Sequence, residues 1–163
     1  MKLDTILVPL DGSWLAETAL SRAVELARAS DAELLLVRAA EAHSLPGADP
    51  TEGQIKVIRE AEEYLAGVRA HLASLGFTKV ETSVWYGPAA YSIVEAARLR
   101  KANLIVMTTH GRSGLGRLIM GSVAESVLRG TTIPILLLRA PEAPIEPPAK
   151  EGEARPWSTL AHV

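Results

Sequence analysis

Between Thr109 and Ser122 the chain reads THGRSGLGRLIMGS, four glycines and two arginines in fourteen positions, set between an apolar run and a helix-like stretch. Glycines let a backbone pass close to a ligand and adopt positive φ, so successive N–H groups can turn inward around anionic oxygens. The start of a following helix, at Ser122 and Val123, adds amides without intrahelical partners and a partial positive charge. The chemistry open to such a segment is to grip phosphate with main-chain donors. A charge-assisted hydrogen bond contributes about 1.5–3 kcal/mol, so three or four, after ordering costs, reach the roughly 8 kcal/mol of micromolar binding without a lysine cluster.

Three familiar motifs do not fit this loop. A P-loop has G-x-x-x-x-G-K-[ST]; Gly111 and Gly116 have the glycine spacing, but Arg117 and Leu118 stand in the Lys and Ser/Thr places. The dinucleotide fingerprint G-x-G-x-x-G stops at Ile119 after Gly114 and Gly116, and the nucleophile elbow G-x-S-x-G stops at Leu115 after Ser113. Lacking the P-loop lysine and a base oriented to activate water, the chain is expected to hydrolyse any phosphate compound it grips slowly at most. His43, His71 and His162 make no metal-ligand spacing with one another.

The elements that must position the loop follow from periodicity. TILVPL (Thr5 to Leu10) is a short apolar strand ending in the turn cluster DGS, where Ser13 can cap a helix and Asp11 can close an Asx-turn. A helix over Trp14 to Ser30 leads to AELLLVRAA (Ala32 to Ala40), a run suited to a strand buried on both faces. Thr51 and Gln54 form a capping-box pattern before the longest helix, whose stripe of Ile58, Ala61, Leu65, Val68, Leu72 and Leu75 ends at Gly76. KVETSVWYG, a helix opened by Pro88, ANLIVMTT, a helix with a Ser122/Glu125 capping box, and IPILLLR complete the order. Strands alternating with helices imply right-handed crossovers. The expected fold is therefore α/β, a doubly wound open sheet of five parallel strands with helices on both faces. In such a sheet ligands collect beyond the carboxyl ends of the strands where strand order reverses, so if strand one lies beside strand four, PLDGS and the glycine-rich loop share one crevice.

A chain of 163 residues that is 48% apolar can bury a core. With 17 basic and 19 acidic side chains it has no global field to attract nucleic acid or an anionic membrane. It has no cysteine, hence no disulfide or thiolate site, and MKLDTILVPLDGS offers no signal-peptide or membrane-span pattern; a soluble, cytoplasmic protein is expected. Residues 1–140 are expected to form the α/β domain. Residues 141–163 hold five of the ten prolines without periodicity and are expected to be a tail, solvated or docked through Trp157 and Leu160. IPILLLR at the sheet border would leave an apolar edge, which pairing with a second copy through Ile133 to Leu138 would cover.

The spacing from Gly111 to Gly121 and Ser122, G-x9-G-S, preceded by MTTH, resembles the nucleotide-binding motif G-x2-G-x9-G-[ST] of the universal stress protein family, in its ATP-binding branch. VPLDGS and GSVAESVLRGTTIPILLLR are similar to that family too, so the resemblance spans roughly residues 2 to 139. One departure stands out: the motif's first glycine falls on Thr108. The resemblance implies a Rossmann-like fold of the adenine-nucleotide-binding type, with ATP or another adenine nucleotide as ligand and Mg2+ or Mn2+ at its phosphates. Pro9 and Asp11 would edge the nucleoside, Ala39 would lie against adenine, and Gly111, Gly121, Ser122 and Val123 would hold phosphates. Arg112 and Arg117 would clamp the outer phosphates, with His110 as a donor. Asp11, too negative to face phosphate directly, would bond a sugar hydroxyl or act through the divalent ion. A homodimer through the last strand, or a higher oligomer, is likewise implied. Three functions are in view: an ATP-binding stress-response regulator, a dimeric protein-interaction module without nucleotide, and a true hydrolase or nucleotidyl transferase.

Overall fold

The strand that opens the chain, β1 (Thr5–Pro9), lies at the centre of the sheet because its apolar run is buried on both faces: Ile6, Leu7 and Val8 are wholly excluded from solvent. The computed structural model describes residues 2–41, 50–109 and 121–139. The other elements are α1 (Trp14–Glu17), α2 (Ala19–Ser30), β2 (Glu33–Ala40), α3 (Pro50–Ser74), β3 (Val80–Tyr86), α4 (Ala89–Leu99), β4 (Leu104–Thr108), α5 (Ser122–Gly130) and β5 (Ile135–Leu138). All pairings are parallel, in the order β3-β2-β1-β4-β5. From β1 the chain winds outward through β2 and β3, then returns to β4 on the other side. The β1/β4 border is thus the point where strand order reverses, and the expected α/β fold is the observed one.

Alternation along the strands divides the core in two. Ile6, Val8, Leu34, Leu36 and Val106 face α1, α2 and α3, whereas Leu7, Leu35, Val37, Ile105 and Met107 face α4 and α5. Three helices end alike, with a left-handed residue that lets the next amide bond five residues back. Gly76 (φ +79°) follows α3 and permits Phe77 N to reach Leu72 O at 3.0 Å; Asp31 and Lys101 have positive φ in the same place, where Ala32 N bonds Ala27 O and Ala102 N bonds Ala97 O. Each closure drops an apolar residue (Ala32, Phe77, Ala102) into the core.

Several local expectations are corrected. The first helix is broken at Thr18, whose hydroxyl donates to Leu15 O at 2.6 Å while its amide is shared between Trp14 O and Leu15 O. α3 starts at Pro50, a residue pre-set for a first helical position, so Thr51 lies inside the first turn and is not its cap. Leu75 lies past the end of α3 and is 61% exposed, off the buried stripe. Pro88 is the N-cap of α4, not its first residue, and β5 is confined to Ile135–Leu138. Residues 141–163 lie outside the described residues, as does the tail expected there.

Candidate functional site

At the carboxyl ends of β1 and β4 the sheet leaves a cleft of about 300 Å³, at the small end of the roughly 300–1,000 Å³ range of small-molecule sites. Three strand ends and two helices supply most of its lining. Pro9, Leu10 and Asp11 come from the end of β1, Val37 and Ala39 from β2, and Met107, Thr108 and Thr109 from β4. Gly121, Ser122, Val123 and Ala124 begin α5 at one end, and Ala89 and Ile93 of α4 form a wall. Parallel register accounts for the convergence: Pro9 stands opposite Val37, and Ile6 and Leu7 opposite Leu104 and Ile105, so the three strands finish together. Of the residues named from sequence, Pro9, Asp11, Ala39, Thr108, Gly121, Ser122 and Val123 meet in this one cleft. His110, Gly111, Arg112 and Arg117 lie outside the described residues.

The loop after β1 is closed by its own side chains. Asp11 Oδ1 accepts from Ser13 N at 2.9 Å and from Ser13 Oγ at 2.6 Å, an Asx-turn, and Ser13 Oγ in turn accepts from Ala16 N at 3.2 Å to cap α1. Gly12 turns the chain at φ +84°, open to glycine without strain. Leu10 N donates to Val37 O at 2.8 Å, tying the loop to β2. The Asp11 carboxylate is therefore held at the cleft edge by local bonds.

At the opposite end, Gly121 is the N-cap of α5 (φ −58°, ψ 147°) and has no side chain to cap with. The Ser122/Glu125 capping box is not formed: Ser122 is the first helical residue, and the Glu125 carboxylate pairs with Arg129 at 2.6 Å. Gly121 N donates to Thr109 O at 2.7 Å and Gly121 O accepts from Glu125 N at 3.0 Å, so the residue is pinned by both its polar groups. Its own amide is thus occupied, and what it contributes is closeness of backbone. The amides of Ser122, Val123 and Ala124 belong to the first turn, where no carbonyl within the helix can reach them. A partial positive charge therefore opens onto the cleft.

Thr108, at the motif's first glycine, is 6% exposed. Strand alternation turns its side chain to the face opposite Met107, toward α1, so the β-branch is not stacked above the Val37, Ala39 and Met107 floor. Of that floor the sequence singled out Ala39 alone, and of the α4 wall neither residue. Ala89 and Ile93 are an ordinary helical i, i+4 pair, and only the crossover from β3 brings them over the sheet end. A small apolar wall carries no spacing signature that distinguishes it from core.

Among the described residues no group of three or more His, Cys, Asp or Glu is placed to hold a metal, and no helix is long and apolar enough to cross a membrane. Asp11 is the carboxylate at the cleft. One carboxylate completed by substrate phosphates is a usual arrangement for Mg2+, so the donor set fits an ion that arrives with its ligand.

A model of the universal stress protein family matches residues 2–139. Universal stress protein MJ0531 of Methanocaldococcus jannaschii is 34% identical over 142 residues, which cover 84% of this chain and 82% of that protein. Among solved structures, universal stress protein UspA from Lactobacillus plantarum superposes with a TM-score of 0.74 at 24% identity, covering 85% of this chain and 99% of that one, which supports the fold. A universal stress protein solved in complex with cAMP superposes with a TM-score of 0.59 at 26% identity, covering 86% and 99% of the two chains. On the family match and the relative's identity, the chain belongs to the universal stress protein family.

Proposed function

We propose that this protein binds an adenine nucleotide, with ATP the expected form, in the cleft between the ends of β1 and β4, as a cytoplasmic stress-response regulator of the family's ATP-binding branch. The observation that carries the reading is the pairing of an apolar floor with a glycine-capped helix start in one cleft: a flat base suits the first and anionic phosphates suit the second. Ala39 and Val37 offer the adenine a surface, Pro9 and Asp11 edge the sugar, and Ser122 and Val123 donate amides to phosphate. Gly111, Arg112 and His110 complete the phosphate end from the glycine-rich loop. Asp11 would hold a Mg2+ or Mn2+ ion that arrives with the phosphates, and the ion would supply charge neutralisation there. The cAMP complex of a relative agrees with the ligand class. Two copies pair through β5, whose four half-buried residues border the sheet. Residues 1–140 act as the binding domain, with 141–163 as an appended tail.

Titration calorimetry with ATP and Mg2+ tests the reading, with micromolar affinity as the expected result. A cleft that takes up no nucleotide at millimolar concentration would instead favour a dimeric interaction module, and phosphate release at many turnovers per minute would make the protein an enzyme.

A further inference from the structure

β2 carries a charged side chain where its buried run ends. Leu34 to Val37 are fully excluded from solvent, and Arg38 follows on the face shared with Leu36, half-buried. Its guanidinium carbon lies 4.6 Å from the centre of the Tyr64 ring of α3. Gly12 is close to it as well: a Cβ built there would meet Arg38 Nη2 at 3.4 Å and Cζ at 3.5 Å, so the guanidinium is laid against the backbone of the ligand loop. The cation thus contacts both an aromatic ring and a glycine, and makes no ion pair among the described residues. The Tyr64 hydroxyl donates to Glu17 Oε1 of α1 at 2.7 Å, which fixes the ring plane against the helix that continues that loop. Half-burial first, and then the Glu17 bond, pushes the Tyr64 phenol up; the Asp11 carboxylate raises it further and Arg38 opposes them, so all four groups share one electrostatic neighbourhood.

The geometry points to Arg38 as a positioning residue: stacked on Tyr64, it backs Gly12 and holds the Asp11–Ser13 turn in the form that presents Asp11 to the nucleotide. The assignment rests on the nucleotide reading above. It couples the ligand loop to α3, the longest helix, without either Arg38 or Tyr64 lining the cleft. A lysine has no plane to stack and cannot replace it.

The test uses full-length protein carrying Arg38→Ala or Arg38→Lys, each alone and combined with Asp11→Ala. It reads ATP affinity in Mg2+ by calorimetry and, without ligand, exchange of the Ser13 amide, whose bond to Asp11 reports the turn. Arg38→Ala is expected to weaken ATP binding about tenfold in the native background but less than twofold beside Asp11→Ala, and to speed Ser13 exchange about tenfold. Arg38→Lys should behave as Arg38→Ala does. Equal losses in both backgrounds, unchanged Ser13 exchange, or full rescue by lysine would each overturn the brace. If the native protein binds no ATP, the nucleotide reading falls, and the exchange rate alone still upholds or refutes the hold on the turn. Where Arg38→Ala does not fold, Arg38→Lys and Tyr64→Leu, which removes the ring face, carry the same comparison.

Discussion

Replacing Ser122 by proline isolates the main-chain grip on phosphate, because this is one position where an amide can be deleted without harming the fold. Ser122 is the first residue of α5, where its N–H has no intrahelical acceptor and where the fixed φ of proline already matches the helix. The preceding residue must be extended, and Gly121 has φ −58° and ψ 147°, within the range that proline allows its predecessor. Folding stability should therefore stay within about 1 kcal/mol of native. Binding should not. A charge-assisted hydrogen bond is worth about 1.5–3 kcal/mol, and at about 1.4 kcal/mol per decade its loss weakens ATP roughly 10- to 150-fold. Proline also removes the hydroxyl, so Ser122→Ala, which keeps the amide, is the reference. Calorimetry with ATP and Mg2+ on both variants gives the amide's share as the difference, while adenosine, without phosphate, should bind native protein and Ser122→Pro within twofold. If Ser122→Pro and Ser122→Ala bind ATP equally, the helix start does not hold phosphate and the site's polarity has been misread.

Ala39→Leu should act at the other end of the ligand: the added carbons enter the cleft, so ATP and adenosine lose affinity together, about tenfold or more, with the thermal midpoint little changed; loss of ATP alone would move the base elsewhere. The Tyr64 phenol, raised above its unfolded value of about 10, favours the folded state fully below that pH and less as pH climbs through the folded value. The native-minus-Tyr64→Phe difference at 295 nm should thus show Tyr64 less ionised at alkaline pH than an ordinary phenol while the fold persists, and an ordinary titration would mean the ring is not held. At β5, Pro134 O and Leu138 O accept from Ile105 N and Thr109 N, so Leu137, one residue out of phase, turns its N–H to the open edge. Leu137→Pro should spare the ladder to β4, cost about 1–2 kcal/mol of packing, and turn a sedimenting dimer into a monomer; a native monomer at micromolar concentration removes the β5 interface.

What the residues disclosed in advance, and what they concealed, divides along physical lines. Apolar runs such as TILVP and LIVMT are readable because a strand buried on both faces needs every position apolar, and their alternation with helices leaves few topologies. The convergence of Asp11 with Ser122 is readable for the same reason, since it depends only on which strands neighbour at the reversal point. Contacts made across elements are another matter. Arg38 against Gly12 and Tyr64, or Ala89 and Ala39 lining one cleft, join residues far apart in sequence whose types are unremarkable alone, and no spacing rule marks them. Helix starts lie between these cases. Ser122 and Glu125 have the capping-box spacing, yet the same residues also fit a helix that begins one residue earlier with glycine as its cap, and the choice goes with the tertiary bond that pins Gly121 to Thr109. That choice bears directly on function. A serine cap would occupy with its own side chain the amides that a phosphate needs, whereas a glycine cap leaves them facing the cleft, so the local rule fails at the place where a ligand can do the capping.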